Sequence, residues 1–169
     1  SDALKTFKTT QRRLQNTLQE LSDIKNELEQ RVESRTEALA TEIEHHKQAQ
    51  ARLQLAAEVM RSTSEAVVVS NADNLVIEVN DAYCDITGYS REEIIGTNPS
   101  LVRSGLHNDQ FYEAMWQSLA QKGHWKGEIW DRRKSGEVYP KWLAINVVRN
   151  EQGELTNYVG VFTDISDLK

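Results

Sequence analysis

The sequence predicts an α+β chain in which a long N-terminal coiled-coil helix leads into a five-stranded antiparallel sheet with short helices on one face. Three observations predict it. Between Ser1 and Ala57 there is no Gly, Pro, Trp or Tyr and only one Phe, Phe7, whereas all eight glycines, both prolines and all four tryptophans follow Met60. Apolar residues in that first stretch recur at helical heptad steps. Past Ala57 the period shortens towards two, and clusters of Gly, Asn and Asp interrupt the chain. The predicted organisation is a coiled-coil or linker helix over residues 1–57 and a separate domain over residues 58–169.

In the first segment Leu4, Phe7, Leu14, Leu18, Leu21, Leu28 and Val32 fall on alternating three- and four-residue steps, with Gln11 and Lys25 at the polar turns of the seam. Such a seam pairs with a copy of itself, so a parallel homodimer is expected, held at Leu14, Leu18, Leu21, Leu28, Val32, Leu39, Ile43 and Leu53. Past Val32 the seam resumes at Thr36, Leu39, Ile43, His46, Gln50, Leu53 and Ala57, which inserts one extra four-residue step. A stutter of this kind locally unwinds a supercoil. The main expectation is a dimerising stalk; the sharper one is a weak segment around His46 and Gln50 that switches between packings. Glu29, Arg31, Glu33 and Arg35 read as a solvated face with helix-surface pairs. His45 and His46, being adjacent, point apart on a helix and offer no metal site.

Charge follows the same division. The formal net charge is −6; residues 1–57 carry nine Lys/Arg and nine Asp/Glu, leaving eleven against seventeen for the rest. A mildly acidic domain with no basic stripe is a poor binder of nucleic acid or anionic membrane. A single cysteine, Cys84, excludes an internal disulfide framework and fits a reducing compartment. No apolar run approaches a bilayer's thickness and no signal peptide is visible. The expectation is a cytoplasmic chain, or the cytoplasmic part of an inner-membrane protein with a membrane segment ahead of Ser1.

The second segment opens with a β-branched run, Glu65 to Ser70, closed by Asn71-Ala72-Asp73-Asn74, and a second strand from Leu75 to Val79 completes a hairpin. Asn80 or Asp81 then caps a short helix through Thr87 that Gly88 ends. Ser90-Arg91-Glu92-Glu93 has the capping-box pattern of another brief helix, closed by Gly96. Asn98-Pro99 turns the chain, and Asp109–Lys122 reads as a longer amphipathic helix with Phe111, Met115 and Leu119, beside Tyr112 and Trp116, on its apolar side. Three strands follow, roughly Trp125–Arg133, Val138–Arg149 and Glu154–Ile165, joined by turns at Lys134-Ser135-Gly136 and Glu151-Gln152-Gly153.

These residues carry a resemblance. Glu65-Ala66-Val67, Asn80-Asp81-Ala82-Tyr83, Ile86-Thr87-Gly88-Tyr89 and Glu92-Glu93-Ile94-Ile95-Gly96 come in order. After them come Trp125-Lys126-Gly127-Glu128, Arg132-Arg133-Lys134-Ser135-Gly136, Tyr158-Val159-Gly160-Val161 and Asp164-Ile165-Ser166. Each is weak alone; together the region from about Glu58 to Lys169 resembles a PAS domain, and the implied fold is the PAS fold. The stretch Glu29 to Thr36 resembles the linker helix that feeds PAS domains in bacterial sensors. The wording from His107 to Trp142 is most similar to PAS modules of bacterial diguanylate cyclases and cyclic-di-GMP phosphodiesterases.

The resemblance implies a small pocket enclosed by the sheet, with candidate lining residues Tyr83, Ile86, Phe111, Met115, Ile129, Asp131, Lys141, Leu143, Ile145 and Phe162. Adduct photochemistry with a flavin needs a thiol in the Gly96-Thr97-Asn98-Pro99 stretch, where Pro99 takes the matching position. The amides that grip a flavin edge match Asp131, Lys141 and Phe162, none of which can both donate and accept as an amide does. A non-covalent flavin, helped by Trp125, is the residual cofactor candidate. Haem needs an axial histidine, and Asp109–Lys122 holds none; His107 and His124 flank it as expected exposed loop residues. No metal-ligand spacing is visible. The expectation is therefore no cofactor, with Asp131 and Lys141 paired at the pocket mouth.

If Asp131 and Lys141 take the pocket-facing positions that the resemblance implies, strand alternation puts Trp130, Trp142, Ala144, Val159 and Val161 on the outer face, where two tryptophans call for a cover: the flanking helix, the partner subunit, or both. Asp164, Ile165 and Ser166 mark the signal exit towards a C-terminal effector domain. With no phosphate-binding loop and no nucleophile–base constellation, this segment is expected to be non-catalytic. The leading expectation is a sensory and dimerisation module in cyclic-di-GMP signalling. The alternatives are a structural spacer without ligand, or the sensor segment of a histidine kinase.

Overall fold

The computed structural model describes residues Ser1–Lys169. Helix α1 runs unbroken over Asp2–Ser62, as a stretch without Gly or Pro permits. It therefore continues past the change of composition at Ala57. The chain divides into two compact units, Ser1–Leu55 and Ala56–Lys169.

The first unit is helix alone. Surface pairs such as Arg31–Glu27, at 2.8 Å, brace it, while its seam leucines stand exposed, Leu14 at 59% and Leu21 at 57%. The seam residues Leu18, Leu28, Val32, Leu39, Ile43 and Leu53 are exposed as well. No residue of α1 is buried.

The second unit is built on a five-stranded antiparallel sheet of order β2-β1-β5-β4-β3: β1 Ala66–Asn71, β2 Val76–Val79, β3 His124–Arg132, β4 Val138–Arg149 and β5 Leu155–Asp164. The first strand pairs with the last, Ala66 opposite Phe162, so the chain enters and leaves the sheet side by side. Between the hairpin and β3 lie α2 (Asp81–Thr87), α3 (Arg91–Ile94), a 3-10 turn (Pro99–Val102) and α4 (Asp109–Lys122). Each start is capped by a polar side chain: Asn80 accepts from Tyr83 N, Ser90 forms a full capping box with Glu93, and Asn108 accepts from Phe111 N. Gly88 and Gly123 stop α2 and α4 in the left-handed conformation, φ 79° and 76°, which a residue with a Cβ rarely adopts.

The core lies between the helices and the inward residues of the sheet. Ala66, Val76, Val79, Tyr83, Ile94, Leu119, Ile129 and Phe162 are all nearly solvent-free. On β3 the inward positions are Trp125, Gly127, Ile129 and Asp131. Trp125 folds its ring across Gly127 so closely that a Cβ there would sit 2.9 Å from the indole.

One polar side chain ties three elements together. Asn80, 3% exposed, accepts from Val67 N at 2.9 Å and Tyr83 N at 3.0 Å, and donates to Glu65 O at 2.9 Å and Met60 O at 3.0 Å. It thus caps α2, opens β1 and holds the last turn of α1. Asn80→Ala leaves two N–H donors and two carbonyls unpaired. It is expected to lower unfolding stability by about 3 kcal/mol in urea denaturation. Asn80→Asp keeps the acceptor but faces two carbonyl oxygens with a carboxylate, and is expected to do no better than Ala.

Candidate functional site

The inner face of the sheet does not close fully on its helices. A cavity of about 110 Å³ remains, walled by Val68, Ser70 and Gly160 from β1 and β5, Ile129 and Asp131 from β3, and Lys141, Leu143 and Ile145 from β4. From the helical side come Tyr83 of α2, the 3-10 turn, and Tyr112, Met115, Trp116 and Leu119 of α4. Eight of the ten sequence candidates, Tyr83, Met115, Ile129, Asp131, Lys141, Leu143, Ile145 and Phe162, stand in this wall.

Ile86 and Phe111 do not, and helix phase explains both. On α2 the buried positions are Tyr83 and Thr87, which leaves Ile86 at the edge of the core. On α4 they are Tyr112, Met115 and Leu119. Phe111 is turned one step aside, stacked on His107 at 4.1 Å and meeting Trp125 edge-on at 5.9 Å.

Asp131 and Lys141 do pair, at 2.5 Å, but not at a mouth. Their side chains are 4% and 5% exposed, deep in the wall, because both occupy inward positions of neighbouring strands. The Lys141 ammonium also lies 3.9 Å above the Phe162 ring. Burial pushes Lys141 down from its ordinary value while Asp131 pulls the other way. Burial, and then the Asp131 charge, pushes the hydroxyls of Tyr83, Tyr112 and Tyr139 up. Tyr112, 8% exposed, has no hydrogen-bond partner for its hydroxyl, and Arg103 covers its ring at 3.7 Å. The exposed rim is therefore formed by Arg103 with Asn98, Pro99 and Ser100.

His107 is not the exposed loop residue that the sequence suggests. It is partly buried, and its Nε2 accepts the main-chain N–H of Trp130 at 2.8 Å. Ser104 Oγ donates to Trp130 O at 2.6 Å, and Arg103 bridges to Asp131 through the main chain. Together these fasten the rim to β3. Nothing in the local sequence distinguishes this histidine from His124, which is exposed.

The wall does not fit a flavin. Trp125 is outside it, Asp131 and Lys141 occupy each other, and the cavity is well below the roughly 300–1,000 Å³ of sites for molecules of that size. Cys84 also stands outside the wall, packed partly buried against the core. It does not fit haem either: no histidine lines it, and His107 spends its lone pair on Trp130.

The outer face of the sheet carries Val67 and Val69 of β1, Val159 and Val161 of β5, and Ala144 and Trp142 of β4, with Trp142 49% exposed. Trp130, opposite Pro140, is partly buried. At the exit, Asp164 is gripped from both sides. Ser166 donates through its main-chain N at 2.9 Å and its hydroxyl at 2.6 Å, and Arg133 Nη2 approaches to 2.5 Å. Arg133 also donates to Ile86 O at 2.6 Å and Glu137 at 2.9 Å, and stacks over Tyr139 at 3.9 Å. The sequence alone assigns Arg133 no role; an arginine just ahead of a tight Lys-Ser-Gly turn is the available signal. Ile165 donates its N–H to Pro140 O, which fixes the exit to β4.

Residues 54–165 match the family model described as the PAS fold. The nitrogen fixation regulatory protein of Klebsiella oxytoca is 34% identical over 108 residues, 64% of this chain and 22% of that protein. Blue-light-activated histidine kinase 1 of Erythrobacter litoralis is 29% identical over 66% of this chain and 32% of its own length. The chain thus spans only a fifth to a third of these curated relatives. Among solved structures, the PAS domain of a Colwellia psychrerythraea protein superposes with a TM-score of 0.64 at 21% identity, over 68% of this chain and 98% of that one.

The buried pair generates a sharp prediction. Asp131→Asn leaves the Lys141 ammonium without its counter-ion and is expected to cost about 3–5 kcal/mol in denaturant unfolding. The paired change D131L/K141M, which removes both charges at similar volume, is expected to cost far less and to leave the fold intact.

Proposed function

This chain belongs to the PAS family, the sensory domains of signalling proteins, and on that basis we propose that it is a dimeric input-and-relay segment acting on an effector joined after Lys169. PAS domains sense rather than catalyse, so the chemistry belongs to the effector. One observation carries the relay. Lys141, in the cavity wall, is the register partner of Asp164 at the exit, and Arg133 binds that same Asp164 together with the end of α2 and the β3–β4 turn. A change at the pocket displaces the strand pair that holds the exit. In energetic terms the signal is the difference in free energy with which an input favours one exit geometry over another.

The proposed dimer rests on the exposed heptad seam of α1 and on the apolar outer face around Trp142, both of which a second copy would cover. The effector we favour is a cyclic-di-GMP enzyme, on the likeness of the stretch from His107 to Trp142 to PAS modules of such enzymes. The second reading, a histidine kinase, draws on the kinases among the relatives. The proposed setting is the cytoplasm, or the cytoplasmic side of an inner-membrane protein; no helix is long and apolar enough to cross a membrane.

Sedimentation of the chain at micromolar concentration is expected to give a dimer mass, and a monomer would sink the dimeric relay. The exit has its own test. Asp164→Ala is expected to raise amide exchange at residues 163–169 by roughly tenfold, the size of one lost charge-assisted bond, while β1 and β4 stay protected. Unchanged exchange would remove the clamp from the relay. Partial burial raises the Asp164 carboxyl, but hydrogen bonds from Ser166 and Arg133 outweigh it and hold it below the usual range. A depressed carboxyl stabilises the fold above its unfolded value, near pH ~4, and that contribution fades as pH falls through the folded value. Exit protection is therefore expected to persist through pH ~5 and to fail only in stronger acid.

A further inference from the structure

The cavity has a chemistry that neither a flavin nor an empty core explains. Most of its wall is hydrocarbon: Val68, Met115, Leu119, Ile129, Leu143, Ile145 and Phe162. The corner of Asp131, Lys141 and Tyr112 is not, nor are the other polar residues of the wall, Ser70, Asn74, Asn98, Ser100 and Arg103. Asp131 and Lys141 neutralise each other, and the buried hydroxyl of Tyr112, near enough to feel the Asp131 charge, has no partner. A lysine ammonium has three N–H groups to place, and Asp131 Oδ2 with the Phe162 ring accounts for only part of them. The corner thus offers donors from the ammonium and an acceptor in the Asp131 carboxylate.

The charges decide what can sit there. In the dry part of the wall an anion would have to draw Lys141 from Asp131 and leave a carboxylate buried alone, since the other cation of the lining, Arg103, is exposed at the rim; a cation would do the reverse to the ammonium. An uncharged group that both accepts and donates leaves the pair intact and completes it. Size sets the remainder. At about 110 Å³ the space is smaller than the roughly 150 Å³ apolar cavity known to take benzene, so a single ring is the upper limit.

We propose that this cavity binds a small uncharged amphiphile no larger than one ring, whose single hydroxyl completes the Tyr112, Lys141 and Asp131 corner while its hydrocarbon body fills the apolar wall. This rests on the sensory reading above and names the chemistry of its input. Arg103, lying over the Tyr112 ring, closes the rim beside that corner, so occupancy is coupled to the segment that His107 and Ser104 pin to β3.

Phenol, toluene and benzoate, of similar size but differing in hydroxyl and charge, are the probes for calorimetric titration of the full chain. Phenol is expected to bind saturably and about tenfold more tightly than toluene, the worth of one hydrogen bond in a dry site, with benzoate weaker than both. Tyr112→Phe removes only a hydroxyl that has no partner in the fold, so this variant keeps its stability. It is expected to cut phenol affinity several-fold while leaving toluene unchanged. Equal binding of phenol and toluene, preference for benzoate, no saturable phenol binding, or an unaltered phenol affinity in Tyr112→Phe would each overturn the proposal. None of these results touches sedimentation or exit exchange, so failure of this ligand chemistry and failure of the relay are told apart.

Discussion

The amide of Asn80 is the constraint on which the rest of this domain depends. A helix that ends next to a strand leaves carbonyls at its last turn, and a strand that begins there leaves an N–H before pairing starts. A short helix starting at the same spot adds another unpaired N–H. Asn80 answers all of these with one planar group, accepting from two N–H groups and donating to two carbonyls. Only a side-chain amide has that inventory; a carboxylate lacks the donors and a hydroxyl lacks the reach. Because β1 lies between β2 and β5, fixing its first residue fixes the register of two strand pairs at once.

A second polar knot, Arg133, stands at the other end of the chain path. It does with a guanidinium what Asn80 does with an amide, collecting a main-chain carbonyl of α2 and two carboxylates into one fork. The two knots are neighbours through the sheet, since Ala66 pairs with Phe162 and Thr163 reaches Glu65 across the gap at 3.3 Å. A disturbance of the sheet therefore meets both the incoming and the outgoing chain within a few residues. Lys141 sits beside Asp164 in that same register, which brings the cavity to within one strand spacing of the exit.

Much of this was legible in the sequence, and the reasons are local. Asn71-Ala72-Asp73-Asn74, Gly88, Ser90 with Glu93, Asn108 and Gly123 each state their own geometry, because turns and caps are satisfied by the residues that make them. Alternation along β3 and β4 likewise put Ile129, Asp131, Lys141, Leu143 and Ile145 on one face. What failed were matters of helix phase and long-range pairing. Phe111 and Tyr112 are adjacent and both aromatic, so composition cannot say which turns inward; only the sheet's position beneath α4 decides. His107 accepts from a residue twenty-three positions away, and no spacing rule reaches that far. The depth of the Asp131–Lys141 pair escapes the sequence for a related reason: pairing follows from register, but burial follows from the 3-10 turn and α4 that close over the same wall.

That depth matters to how such a site can work. A buried ion pair contributes little to stability, because the cost of drying two charges consumes most of their attraction. Hydrocarbon of similar volume in these two positions would serve stability about as well. What the pair adds is polarity in a place that packing alone would leave inert, and it does so without net charge. It also makes the wall responsive. A group that enters and shares hydrogen bonds with Lys141 or Asp131 alters the balance within the pair, whereas a leucine or methionine in their place would have no balance to alter. Lys141 is the register partner of Asp164, so the charged wall of the cavity lies next to the residue that holds the exit. In the relay we propose, that adjacency is what would carry occupancy of the cavity to the exit.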